Sequence, residues 1–153
     1  MPGRFSLAWG GPCVNLAALR SQTAPVMAYQ FEKHYTRDEA RALLPKVRGW
    51  LNRLRLVKEQ LDREEPSLSR LLAEGADLGG QRINHFFRLW ADLQLVFREF
   101  RSREIQIKDL DRGLIDFPAL IGSKEVFLCW ENGEEDIEYW HDLDSGYAGR
   151  APL

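Results

Sequence analysis

Two runs of apolar residues at alternating steps of three and four restrict the fold more than any other feature of the chain. Ala40, Leu43, Val47, Trp50, Leu54, Val57 and Leu61 make the first; Ile83, Phe86, Trp90, Leu93, Phe97 and Phe100 make the second. This spacing keeps one side of an α-helix apolar over heptad after heptad, which a strand of period two cannot do. Leu44 and Leu51 widen the first stripe, and Leu89 and Val96 the second. Gly75, Gly79 and Gly80 between them read as a flexible reversal. The expectation is an antiparallel helical hairpin over residues 36–104. Stripes this wide exceed what two helices can cover from each other, so a sheet, a second copy or both must bury the rest. The aromatics in them are read as core.

Thr36 and Glu39 have the spacing of a capping box and predict the first helix start. Pro45 is expected to kink that helix or to start a fresh segment after Leu44, and Pro66 to end or offset it. A short helical piece is expected around Ser67–Ala73, and the second helix from about Arg82.

After Glu104 the period changes. "IQIKDLDRGLIDFP" alternates and carries a turn signal at Asp111–Gly113, so it predicts a hairpin. "EVFLCW" lacks polar alternation and predicts a strand buried on both faces, and "DIEYWH" predicts a half-polar strand. Pro118 and the Gly122–Ser123 turn are expected to separate the second strand from the third, and Asn132–Gly133 the third from the fourth. The fold class expected is α+β: the hairpin, then a three- to four-stranded antiparallel meander over residues 105–153. Residues 27–153 read as one domain. Residues 1–26 are Gly/Pro/Ala-rich, carry no acid and show no period. They read as a disordered extension or as a stretch upstream of a start at Met27.

The capping box followed by "LLP", then "DRGLIDFPA", "VFLCWENGEEDIEYWH" and "DSGYAGRAPL", resemble an uncharacterised bacterial family, domain of unknown function 2203, over about residues 30–153. The resemblance implies a prokaryotic source and fits a start at Met27. It implies no activity, cofactor or catalytic residue.

Charge is divided along the chain. Residues 27–104 carry 15 Lys/Arg against 12 Asp/Glu, and residues 105–153 carry 4 against 11. A basic half and an acidic half suit complementarity within the chain or between copies. They argue against nucleic acid as the main partner, although Arg48, Arg53, Arg55, Lys58, Arg88, Arg98, Arg101 and Arg103 raise it. Two cysteines, Cys13 and Cys129, are too few for a disulfide framework, so a reducing, cytoplasmic setting is expected. No apolar run has the length of a membrane span.

The aromatic and polar stretch 126–150 gathers the residue types that carry chemistry. Cys129 and His141 lack the paired spacing of a zinc site. A two-residue turn at Asn132–Gly133 puts Glu131 opposite Glu134, which leaves Cys129 on a face with Glu138 and Trp140, and His141 on the other. Pairing Trp130 with Ile137 gives the same separation. No metal site and no cofactor are therefore expected. By the same parity Trp130 and Tyr139 share a face that excludes Trp140, which disfavours an aromatic cage. The remaining polar candidates are Asp116, an acid in an apolar stretch, with Glu134, His141, Asp144 and Arg150. They either converge on a pocket, or serve structure, with Arg150 pairing to Asp116 or Glu134 and pinning the tail.

The leading functional expectation is a non-catalytic interaction protein working through its hairpin, acting as an adaptor or as a homodimer. The alternative is a small-ligand binder or enzyme using the five polar residues, and nucleic-acid binding is third.

Overall fold

The computed structural model describes residues 29–77 and 79–153; the N-terminal extension lies outside the described residues. Helix α1 runs from Arg37 to Ala73 and helix α2 from Gln81 to Arg101. The predicted cap is present: the Thr36 hydroxyl accepts the Glu39 N–H at 3.2 Å, and the Glu39 carboxylate accepts the Thr36 N–H at 2.8 Å.

The prolines do not divide the first helix as expected, since Pro45 and Pro66 both lie inside α1. A proline inside a helix costs about 3 kcal/mol and one backbone hydrogen bond, and contacts on either side offset that cost. Around Pro45, Leu44 and Val47 are buried, Arg41 pairs with Asp136, and Arg48 donates to the Glu134 carbonyl at 3.0 Å. Around Pro66, Leu68 is buried and Arg82 of α2 donates to the Ser67 hydroxyl at 2.7 Å.

The sheet has five antiparallel strands in sequence order: β1 (Gln106–Asp109), β2 (Leu114–Ile121), β3 (Lys124–Glu131), β4 (Tyr139–Asp142) and β5 (Ala151–Pro152). The tail supplies the extra strand through β5, after a single 3-10 turn at Tyr147–Gly149. The turn before β2 requires Gly113, which has φ +70°, and a Cβ there would sit 2.6 Å from that of Asn132.

One sheet face meets the helices. Ile115, Phe117 and Ala119 of β2 oppose Trp130, Leu128 and Val126 of β3, and all six join Ala40, Leu44, Val47, Leu51, Leu54 and Phe100 in one core. The basic helix and the acidic sheet half complement each other at the rim. Arg37 and Arg41 pair with Asp136, and Arg55 donates to the carbonyls of Leu110 and Asp111.

In α1 this core stops at Leu54. Residues 55–73 continue beyond it for roughly 28 Å at about 1.5 Å per residue, accompanied by the first half of α2. Past the β1–β2 turn, whose Asp111 shares a surface cleft with Arg55, Lys58, Glu59 and Asp62, the two helices form an arm with no sheet beneath it. Its lateral ties are Arg53 to Asp92 and Arg82 to Ser67 and Glu64.

A strap formed by residues 29–35 covers part of the other sheet face. Glu125 of β3 accepts the N–H groups of Gln30 (2.7 Å) and Phe31 (3.0 Å) and meets the His34 ring at 2.8 Å. Phe31 stacks edge-on against Phe127 at 5.4 Å. The chain then rounds the edge of β2, where the Tyr35 N–H donates to the Pro118 carbonyl at 2.7 Å, and Tyr35 meets Phe117 on the helix side at 5.5 Å. Pro118 thus lies inside β2 instead of ending it as expected: backbone N and C=O of one strand residue point to the same side, so its missing N–H faces this strand edge and no ladder bond is lost.

Candidate functional site

The register of β3 and β4 differs from both expected registers. Phe127 opposes His141, Leu128 opposes Trp140 and Cys129 opposes Tyr139. Cys129, Tyr139 and His141 therefore share the face turned away from the helices, and the predicted separation of Cys129 from His141 is corrected. The aromatics are corrected with it: Trp130 and Trp140 take the helix side, and Tyr139 the other.

The physical reason lies in "ENGEEDIE". Asn132–Gly133 is not the whole turn; the connection extends to Glu138, the residue before β4. The Asn132 N–H donates to Gly113, and the Trp130 indole donates to the Glu134 carbonyl at 3.0 Å. A two-residue turn would set Glu134 opposite Glu131, a repulsive pair, and would draw three consecutive acids into a strand, where acids are depleted. That acidic run was the available signal.

Asp116 of β2 lies directly opposite Cys129, so three neighbouring strands deliver a carboxylate, a thiol and an imidazole to one spot. One ligand-type atom from each lies within 4.8 Å of the others. All three residues are buried, with His141 at 2% exposure. Their cover comes from Phe127, whose ring lies 5.5 Å from that of His141, and from Lys108, whose Nζ sits 4.7 Å over Phe127 and 3.8 Å from Asp116 Oδ2.

The hydrogen bonds fix the protons. His141 Nδ1 lies 2.7 Å from the Asp142 carbonyl oxygen, which can only accept, so Nδ1 carries a hydrogen. His141 Nε2 lies 3.0 Å from Asp116 Oδ2. One further proton is therefore shared across that contact, as carboxylic acid and imidazole or as carboxylate and imidazolium, and the pair is neutral in total either way. Burial raises the Asp116 pKa above its ordinary value, opposed mainly by the His141 ring. Asp116 Oδ1 has no hydrogen-bond partner. Burial, with the carboxylate of Asp116 beside it, pushes the Cys129 thiol up to about 12. A thiol so protonated is no nucleophile at neutral pH.

The other candidates lie elsewhere. Arg150 Nη2 holds Glu134 at 2.8 and 2.9 Å, with its guanidinium 4.3 Å from the Tyr139 ring centre and 4.9 Å from that of Tyr147. Tyr147 donates to Glu131, which Arg112 holds below the usual carboxylate range. This network pins the tail that forms β5. Asp144 joins neither pair and lines an open surface cleft of about 400 Å³ with Lys124, Glu125 and Asp142. The five residues thus make two pairs and a bystander. Cys129, set apart from His141 by the expected parity, and Lys108, to which no pattern in the sequence pointed, belong beside Asp116 and His141.

A family model described as an uncharacterized conserved protein, DUF2203, matches residues 33–153. The chain belongs to the DUF2203 family. The match takes in both helices, the whole sheet and every residue of the two polar clusters, so these clusters sit on the DUF2203 fold itself. No curated protein and no solved structure matches the chain. Among the described residues no helix is long and apolar enough to cross a membrane.

Proposed function

We propose that this DUF2203 protein is a non-catalytic interaction module of the bacterial cytoplasm that pairs with a second copy through the arm of its helical hairpin. The observation that carries the reading is the outer side of α2, where Phe87 is 59% and Trp90 51% exposed, on an arm with no sheet beneath it. Leu72 on α1 is exposed on the same arm. Large apolar side chains on a two-helix layer are what a second layer covers, giving a four-helix arrangement.

The second copy is favoured over nucleic acid because four of the arm's six bases are engaged within the chain. Lys58 pairs with Asp62, Arg63 with Glu59 and Arg82 with Glu64, and Arg55 is held by the Leu110 and Asp111 carbonyls. Size sets the strength. An arm about 28 Å long and two helices, about 20 Å, wide offers on the order of 550 Å² per copy, against about 800 Å² in a standard interface. A reversible dimer is therefore expected rather than an obligate one. Light scattering behind a sizing column tests this on the full chain. The wild type should run as dimer when loaded concentrated, and Trp90→Glu as monomer with an unchanged circular-dichroism spectrum. Identical masses for the two would remove the proposal.

A further inference from the structure

We propose that Asp116, Cys129 and His141 form a binding site for one divalent transition cation of the zinc type. Geometry comes first. At bond lengths of about 2.0–2.3 Å, the donors around a tetrahedral ion lie about 3.3–3.8 Å apart. One donor atom from each of the three lies within 4.8 Å of the others, and His141 Nε2 lies 3.0 Å from Asp116 Oδ2. Small side-chain rotations bring them onto one ion.

Orientation comes second. The bond from Nδ1–H to the Asp142 carbonyl fixes the tautomer and turns Nε2 inward, as the backbone acceptor behind a metal-binding histidine does. The third observation is the orphaned oxygen. Asp116 Oδ1 is buried and meets no donor in hydrogen-bond geometry, only the weakly donating Cys129 thiol nearby, an arrangement that costs stability unless something else meets it. A cation beside the carboxylate meets that need.

Charge closes the argument. Without the ion, the Asp116–His141 pair holds one shared proton and Cys129 one thiol proton, for a total charge of zero. With it, carboxylate and thiolate bring two negative charges, imidazole none and the cation two positive. Two protons leave and one divalent ion enters, so the total buried charge does not change. Lys108 is 38% exposed at its side chain and can swing its Nζ to water. One thiolate, one imidazole and one carboxylate suit zinc or cobalt(II); magnesium and calcium take oxygen donors instead. Three protein donors leave a fourth position for water.

The test uses the full chain, stripped with chelator and titrated with cobalt(II). One equivalent should bind with a thiolate-to-cobalt charge-transfer band in the near ultraviolet, and zinc should displace it. Cys129→Ser should lose the band and Cys13→Ser should keep it. Asp116→Asn and His141→Gln should each weaken binding by about tenfold or more. No stoichiometric binding, or a band that follows Cys13, overturns the proposal. Should these variants fail to fold, the imidazole nitrogen resonances of the wild type decide. Zinc must shift His141 Nε2 and leave Nδ1 protonated; an unmoved His141 overturns the site.

Discussion

Replacing Asp116 and His141 singly and together should give strongly non-additive stabilities. Each group is buried and their mutual bond is 3.0 Å long. Asp116→Leu takes from His141 Nε2 its 3.0 Å partner. His141→Leu takes the same bond from Asp116 Oδ2 and leaves that oxygen only Lys108, at 3.8 Å. Either survivor can become neutral, so the cost is that of an orphaned polar group, about 2–3 kcal/mol, rather than that of an isolated buried charge. The double variant removes both groups and fills the space with hydrocarbon; its cost should be about 1 kcal/mol or less. Independent effects would sum to about 4–6 kcal/mol, so the coupling should be about 3 kcal/mol or more. Urea unfolding with chelator present, to keep metal out of the cycle, measures all four proteins. A double variant that loses the full sum would refute the pairing on which the site rests.

Two further outcomes follow from the fold. Gly113→Ala combines φ +70° with a Cβ placed 2.6 Å from that of Asn132; it should cost about 2 kcal/mol or more by thermal unfolding, and a cost near zero would mean that the β1–β2 turn is built differently. The hydrogen bond from Arg41 holds the Asp136 carboxyl well below its usual range. Its folded pKa is thus depressed, so its contribution is complete above the unfolded value of about 3.9 and is lost as pH falls toward the folded one. The stability difference between wild type and Asp136→Asn should be constant near neutrality and shrink below about pH 4. A gap as large at pH 2 as at neutrality would contradict the assignment.

Periodicity made the helices legible from sequence. The steps of three and four at Ala40–Leu61 mark a largely buried stripe, and the hairpin is present; the Ile83–Phe100 stripe is buried only in part, and Trp90, read as core, is exposed because no layer covers that side of α2. Pro45 and Pro66 misled because their local cost is outweighed by contacts with residues far along the chain, such as Asp136, Glu134 and Arg82. The sheet order was readable from turn residues, whereas the register between β3 and β4 was not. Asn132–Gly133 carries a strong hairpin signal, but the acids after it are claimed by α1 and by Arg150, which lengthens the loop and changes the parity. That one change brings Cys129 and His141 together. The strap over Phe127 rests on Glu125 reaching residues more than 90 positions earlier, and no local pattern encodes it.

Self-association through the arm is tested most directly by sedimentation velocity of the full chain over a wide concentration range. Half-exposed Trp90 presents on the order of 100 Å² of ring surface, worth about 2.5 kcal/mol when covered. A twofold dimer covers it twice, so Trp90→Ala should weaken association by about 5 kcal/mol, more than a thousandfold. The predicted result is a monomer–dimer equilibrium in the wild type and monomer alone in the variant. A wild type that sediments as monomer at every concentration would contradict the proposed function.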